Sequence, residues 1–290
     1  MYLGIDIGGT KVALRAELDD ETVRESVFRW GGTADDVREL RRHVGVFLAG
    51  GPVPRGVGVA LPATVDEAGR VTAWPNRPSW TGVRVRSLFA SLLPMTRTRF
   101  GDDGDLAAVA EATAAGVRHA VYVGVGTGIG GGIVLDGRSC PGPGRGSCEL
   151  GHIVVDRSGP VCGCGRRGCL QAVASGPAVL RSAGRRRGAA VTYEELVRGA
   201  AAGAGWACGA LDDAAAALAT ALIGVAELVR PDRLLVGGGF AAGLPGFAGL
   251  IAGRVARLGR PGHPAPPVQP AALGGLSSLY GAVLAAKNLA

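Results

Sequence analysis

The sequence predicts an α/β protein made of two related lobes. Three observations carry this reading. A strand, a glycine–threonine turn and a second strand open the chain, and the same arrangement returns beyond residue 119. Strand-like and helix-like segments alternate along the length, as layered α/β architectures require. A long Ala-rich segment of helical spacing at 211–229 leads into a short apolar strand at 233–236 and three consecutive glycines, Gly237, Gly238 and Gly239. Duplicated hairpins imply two lobes with a cleft between them, and clefts are where ligands bind.

Taken in order, residues 1–7 alternate and are β-branched, Gly8, Gly9 and Thr10 break the run, and residues 11–18 resume it, which makes a hairpin. Thr33 is placed to cap a helix in which Val37, Leu40, Val44, Phe47 and Leu48 recur at helical spacing until Gly50 and Gly51 end it. Residues 56–61 read as a buried strand. A loop carrying Pro75, Asn76 and Trp80 follows, then a short strand near 96–100, the acidic run Asp102, Asp103 and Asp105, and a helix over 106–115. Asp105 is placed to cap that helix. Residues 119–125, a glycine run and residues 132–135 form the second hairpin, closed by Asp136 and Gly137. Thr192 and Glu195 have the spacing of a capping box. The proline-rich stretch 260–270 reads as a surface connection, and residues 276–289 as a final helix.

At 290 residues the chain can bury a substantial core as one large or two medium domains. Its formal charge of +7 comes from scattered arginines, bunched at 38–42 and 185–187. That balance suits anionic ligands. Aromatics make up only 5% and no basic stripe is interleaved with them, so nucleic-acid binding is not expected. No apolar stretch free of charge runs for about 20 residues, so a membrane span is not expected either. The start lacks the charged and apolar regions of a secretory leader, which points to a cytoplasmic, reducing setting.

Cysteine placement is informative. His152, Cys162, Cys164 and Cys169 fall within eighteen positions, and one His with three Cys completes the tetrahedron of a closed structural zinc site. Gly163, Gly165 and Gly168 supply the backbone freedom that a tight C-x-C-x4-C knuckle needs. Free thiols in a loop are the plainer alternative, and a disulfide framework is disfavoured by the missing leader. Cys140, Cys148 and Cys208 have no metal spacing and read as ordinary small core or loop residues.

The two glycine turns share one design, G-I-D-I-G-G-T-K at the start and G-V-G-T-G-I-G-G-G-I later. Bare N–H groups in such turns approach phosphate oxygens, and a threonine hydroxyl adds a donor. The formal G-x-G-x-x-G match at 126–131 is followed by a strand, which excludes a dinucleotide fingerprint, and no P-loop motif occurs. Either turn alone is equally well an ordinary hairpin. Two alike, with a third glycine cluster after a strand, weaken that alternative.

With D-I-G-G-T-K, G-T-G-I-G-G-G, E-x-G-H followed by C-x-C-G-x-x-G-C, and the late G-G-G in this order, the chain resembles the ROK family of bacterial sugar kinases and sugar-responsive repressors from Leu3 to about Gly281. The resemblance implies the actin-like, hexokinase-type (ribonuclease H-like) fold closing over a sugar and ATP·Mg²⁺. It implies an amino-terminal lobe of 1–110 joined by a carboxy-terminal helix at 272–290, a larger lobe of 111–271 with the zinc knuckle at 149–171, and a homo-oligomer, dimer or tetramer. By motif position Asp103 is the catalytic base for the sugar 6-hydroxyl. Asp6 holds Mg²⁺ beside Gly8, Gly9, Thr10 and Lys11 at the phosphates, and Gly126, Thr127, Gly128, Gly237, Gly238 and Gly239 complete the ATP site. Asn76, Asp102, Asp103, Glu149, His152 and Gln171 attend the sugar, His152 being first of all a zinc ligand.

Three positions depart from the family pattern. Asp102 and Asp105 replace the two Asn of N-D-A-N, and Gln171 stands where Glu usually follows G-C-L. An Asn at 102 donates or accepts, whereas an ionised carboxylate only accepts. A carboxylate there suits an ammonium group, so the expected substrate is glucose or a 3-amino hexose such as kanosamine, in amino-sugar or antibiotic biosynthesis. The G-D-D-x-D run also resembles the late acidic motif of haloacid-dehalogenase-type phosphatases, but their early D-x-D is missing because Asp6 is followed by Ile7, Gly8 and Gly9. A non-catalytic sugar-responsive regulator is the alternative within the family. Its repressors carry an additional N-terminal helix-turn-helix, while here the phosphate hairpin begins at Leu3.

Overall fold

The computed structural model describes residues 1–32, 35–74, 77–142 and 146–289. In chain order the elements are β1 (Tyr2–Ile7), β2 (Lys11–Glu17), β3 (Val23–Arg29), α1 (Asp36–Leu48), β4 (Gly56–Ala60), β5 (Thr64–Val65), β6 (Val71–Ala73), α2 (Val85–Leu92), β7 (Arg97–Gly101) and α3 (Asp103–Ala114). Then come β8 (Ala120–Val125), β9 (Ile129–Leu135), β10 (Arg138–Cys140), α4 (Leu170–Ala174), α5 (Gly176–Arg187), α6 (Tyr193–Ala201), α7 (Gly205–Val229), β11 (Arg233–Gly237), α8 (Gly239–Ala242), α9 (Phe247–Arg257), β12 (Val268–Pro270) and α10 (Ser277–Lys287). They form two compact units. The first comprises Met1–Ala110, Pro141–Ser147 and Leu276–Ala290, and the second Glu111–Cys140 and Cys148–Gly275.

The first unit is built on a five-stranded sheet of order β3-β2-β1-β4-β7. The hairpin makes β1, β2 and β3 antiparallel, while β4 and β7 run parallel to β1. Both faces of the central strands are covered, so β4 reads as a continuous apolar run with every residue buried. Helix α10 lies on β1 and β4 at very close range: a Cβ on Gly58 would overlap the backbone carbonyl of Ala282. Leu3, Ile5, Ile7, Val57, Val59, Trp74, Trp80 and Phe89 belong to one core cluster of this unit.

The second unit repeats the plan. Its sheet has the order β10-β9-β8-β11-β12, again with three antiparallel strands followed by two parallel ones. Helix α7 is long and apolar enough, by length and composition, to cross a membrane. Its apolarity has a nearer cause: Ala207, Leu211, Ala215, Leu218, Leu222 and Val225 are buried in the core cluster of this unit with Val121, Val123, Leu234 and Ile251.

Several expectations are corrected. The Thr33 cap lies outside the described residues, and Asp35 caps α1 instead, accepting from the Arg38 N–H at 3.0 Å. The helix expected from 106 begins at Asp103, and Asp105 does not cap it. Asp102 does: its Oδ1 accepts from the N–H of Gly104 at 3.0 Å and of Asp105 at 3.4 Å, and its carbonyl receives the Leu106 N–H at 3.0 Å. The stretch 260–270 is not only a connection, since β12 pairs with β11; proline is tolerated there because the strand is at the sheet edge. The strand expected at 132–135 starts at Ile129, and α7 starts at Gly205, well before 211. Strand β3 is unanticipated because its charged, mostly exposed residues hide an edge strand. Cys208 is exposed on α7, neither core nor loop, whereas Cys140 and Cys148 are half-buried. The capping box is present, with the Glu195 N–H donating to Thr192 Oγ1 at 3.2 Å and the Thr192 N–H to Glu195 Oε2 at 2.9 Å.

Candidate active site

In the first unit the candidate residues gather at one edge of the sheet. Parallel strands β1, β4 and β7 place Asp6, Ala60 and Gly101 in one row. At the usual strand spacing Asp6 and Gly101 are therefore about 10 Å apart. Asp102 and Asp103 follow Gly101 directly, at the carboxyl end of β7, where open α/β sheets bind ligands. Gly8, Gly9, Thr10 and Lys11 lie at the same edge, in a turn closed by the Gly8 N–H donating to the Lys11 carbonyl at 2.9 Å. Asp103 opens α3, and its Oδ1 accepts the Gly104 N–H at 2.8 Å. Asn76 lies outside the described residues.

Burial pushes the Asp6 carboxyl above its ordinary range, against the lowering effects of the Ser278 hydroxyl and the Lys11 ammonium. Ser278, near the start of α10, donates to Asp6 Oδ2 at 2.6 Å. Sequence reasoning passed over Ser278. The only signal for it is a pair of serines opening an apolar helix. One carboxylate held by a hydroxyl at the end of a glycine turn suits Mg²⁺, which takes one or two protein carboxylates and completes its shell with phosphate and water oxygens.

In the second unit the glycine loops come together in the same manner. The turn at Gly126, Thr127 and Gly128 is closed by the Gly126 N–H donating to the Gly128 carbonyl at 2.9 Å, and Thr127 is exposed. Gly237 is in register with Gly124 across β11 and β8. Gly238 sits tightly against Val125, and Gly239 opens α8. Gln171 on α4 reaches this region: its Oε1 accepts the Ile129 N–H at 3.1 Å, so its amide braces the end of the glycine turn.

Glu149 is exposed at the head of a 3-10 turn, Leu150–His152, whose His152 N–H donates to the Glu149 carbonyl at 3.0 Å. The buried Leu150 packs against β9, and the far end of the turn is the knuckle. There the candidate ligand atoms of His152, Cys162, Cys164 and Cys169 all lie within 4.8 Å of one another. With Zn–S bonds of about 2.3 Å, a tetrahedron has S···S edges of about 3.8 Å. Cys164 Sγ and Cys169 Sγ are 3.7 Å apart, and Cys162 Sγ is 3.7 Å from His152 Nδ1. The donor set and its spacing thus fit structural zinc. Burial and neighbouring thiols push the Cys169 thiol up to about 11, whereas the Arg166 backbone N–H draws Cys164 down.

The knuckle backbone explains only part of its glycine content. Gly165 and Gly168 have φ of 88° and 73°, and a Cβ on Gly168 would overlap the Asp156 carbonyl. Gly163 needs no such freedom: it is absent from the positive-φ set and has open space around its Cα. The Gly168 carbonyl accepts from Val155 at 2.9 Å and from Asp156 at 3.2 Å, and the Leu170 N–H donates to Ile153 at 2.8 Å. These bonds tie the knuckle to the segment that follows Glu149.

Residues 2–288 match the ROK family. A kanosamine kinase of Amycolatopsis mediterranei (strain S699) is 52% identical over 294 residues, which cover 100% of this chain and 97% of that protein. A ROK hexokinase of Thermus thermophilus superposes with a TM-score of 0.85 at 31% identity, over 99% of this chain and 98% of that one. A ROK glucokinase of Streptomyces griseus, solved with glucose and AMPPNP, superposes with a TM-score of 0.81 at 25% identity, over 99% of each chain. The repeated strand order is that of the actin-like, hexokinase-type fold which these structures share with this chain. On a match running along nearly its whole length, the chain belongs to the ROK family.

Proposed function

We propose that this chain is an ATP-dependent kinase for the 6-hydroxyl of a hexose, with a 3-amino-3-deoxyhexose such as kanosamine as preferred substrate. The kinase reading is supported by the 52% identical kanosamine kinase and by the glucokinase seen with glucose and AMPPNP. Phosphoryl transfer needs alignment, charge neutralisation and a base. Asp103 takes the proton of the 6-hydroxyl as that oxygen bonds to the γ-phosphorus and the bond to the β-phosphate oxygen breaks, releasing ADP. Lys11 and the N–H groups of the first glycine turn would meet phosphate charge, and Asp6 would hold the metal. Bound Mg²⁺ supplies neutralisation of phosphate charge. His152, Cys162, Cys164 and Cys169 would hold zinc, which fixes the turn carrying Glu149 and takes no part in the transfer.

The amino-sugar preference rests on how Asp102 is used. Its Oδ1 is engaged by the backbone of α3. Asn and Asp cap helices about equally well, so an exchange between them leaves the helix start intact. What changes is the second atom, an amide nitrogen in one case and an acceptor-only charged oxygen in the other. A charge-assisted bond to an ammonium group is worth about 1.5–3 kcal/mol, or roughly ten- to hundredfold.

The test is ADP release from wild type and Asp102→Asn with glucose, mannose, N-acetylmannosamine, glucosamine and kanosamine. Kanosamine should exceed glucose in kcat/KM by about tenfold or more in wild type, and most of that margin should vanish in the variant. A wild-type preference for glucose, or a preference unaltered by the substitution, removes Asp102 as ammonium reader. Silence with every sugar removes the kinase and favours the regulator.

A further inference from the structure

We infer that Trp30 and Arg77 are positioning residues that aim the N–H groups of the first glycine turn at the nucleotide phosphates. The inference rests on the reading of Gly8, Gly9, Thr10 and Lys11 as a phosphate-binding turn, and adds what holds that turn in its working form. The Trp30 indole N–H donates to the Gly8 carbonyl at 2.9 Å. The Arg77 Nε–H donates to the Gly9 carbonyl at 2.7 Å. Two consecutive carbonyls are thus tied down by side chains from distant parts of the sequence.

A trans peptide unit points its C=O and its N–H in opposite directions. Fixing the Gly8 carbonyl therefore fixes the Gly9 N–H on the opposite side, and fixing the Gly9 carbonyl does the same for the Thr10 N–H. Neither of these N–H groups donates to another group among the described residues. The result is a pair of adjacent donors pointing away from the clamp, the arrangement by which short backbone segments bind anions. Left alone, a Gly-Gly segment would spread over many conformations, and a phosphate would have to pay for ordering it.

The clamp is itself held firmly. Arg77 Nη1 is 3.0 Å from Asp36 Oδ1, and the Ser79 hydroxyl donates to the other oxygen of Asp36 at 2.6 Å. The Asp36 side chain is 2% exposed and that of Arg77 is 19% exposed, so the pair is shielded from water. The guanidinium also stands 4.9 Å from the Trp30 ring centroid, joining the two halves of the clamp. Trp30 in turn meets Phe28 and Trp80 edge to face in the core of the first unit. An ion pair of this quality at the back of a turn gives direction to the peptide units in front.

The experiment compares Trp30→Phe, Arg77→Met, Arg77→Lys and Lys11→Met in the full chain, by calorimetric Kd for AMPPNP with Mg²⁺, KM for ATP, kcat and thermal midpoint. Trp30→Phe keeps a ring in the core and removes one donor, so it folds even if Arg77→Met leaves Asp36 too exposed to burial without its partner. We expect Trp30→Phe to weaken AMPPNP severalfold and Arg77→Met tenfold or more, with kcat at saturating ATP changed less than threefold. Arg77→Lys should recover part of the loss. If Lys11→Met weakens AMPPNP while Trp30→Phe and both Arg77 variants bind it within twofold of wild type, the clamp is overturned and the phosphate turn stands. If Lys11→Met also binds normally, the turn does not hold phosphate and both readings fall together.

Discussion

Asp6 shows how a carboxylate suited to a metal can be costly to the resting protein. Its carboxyl is held above the ordinary range mainly by burial, and the Ser278 hydroxyl and Lys11 offset that only in part. A raised folded-state pKa contributes stability that is fully present below the unfolded pKa and lost as pH rises through the folded one. Near neutral pH the ligand-free protein therefore carries the cost of an ionised, desolvated Asp6. Asp6→Asn should melt higher than wild type at neutral pH without nucleotide. The margin should shrink as the pH falls through the raised pKa and vanish where Asp6 is protonated in folded and unfolded chains alike. On the proposed metal role of Asp6, Mg²⁺ with AMPPNP should reverse the ranking. Differential scanning fluorimetry across pH, with and without the nucleotide, checks all three; equal midpoints for the two proteins at every pH would show that Asp6 is not under strain. The carboxylate itself was legible in D-I-G-G-T-K, but Ser278 was not, because it lies 272 positions away.

At the scale of elements, α10 is what places Ser278 on Asp6, and it does so by lying almost directly on the sheet. Gly58 on β4 is the tightest of the glycine contacts that permit this, beside Gly4 and Gly56, with the Ala282 carbonyl where a Cβ would stand. The obstruction is backbone, which does not yield as a side chain would. Gly58→Ala should cost about 1–3 kcal/mol as an overpacking substitution and should weaken Mg²⁺ binding as α10 lifts. Gly45 on α1 is the control: it is exposed, and open space surrounds its Cα. Gly45→Ala should stabilise by about 0.5–1 kcal/mol through helix propensity and leave Mg²⁺ affinity alone. Urea midpoints and metal titrations of the two variants decide the matter, and equal losses in both would refute a contact-specific role for Gly58. Local signals predicted the capping box at Thr192 and Glu195 and the hairpin turns, because each is decided within a few residues. They failed at β3, β12 and the start of α3. There, edge pairing or a side chain one position earlier settles the conformation, and no periodicity records it. The same holds for Trp30 and Arg77, which only folding brings to Gly8 and Gly9.

At the scale of the whole molecule, one strand order is used twice, and each copy has its own buried cluster. The duplication was legible because both hairpins carry a glycine–threonine turn. Among the described residues the knuckle has no counterpart in the first unit: its four ligands and the hydrogen bonds that frame it all belong to the second. Zinc should accordingly support the second unit specifically. The tryptophans provide a way to see this. Trp30, Trp74 and Trp80 are buried in the first unit, and Trp206 is the fourth and last of the chain, in the second. In a Trp206→Phe background, tryptophan emission reports the first unit alone, while far-ultraviolet circular dichroism reports both. Each kcal/mol of lost metal binding moves a midpoint by about 2–4 °C in a body of this size. Removal of zinc by a chelator, or Cys164→Ser, should therefore lower the first dichroism transition by about 10 °C or more and weaken sugar binding through the Glu149 turn, with little change in the tryptophan transition. Both probes falling together would mean that the two units unfold as one and that the knuckle stabilises the entire chain; neither falling would mean that the site is dispensable to the fold.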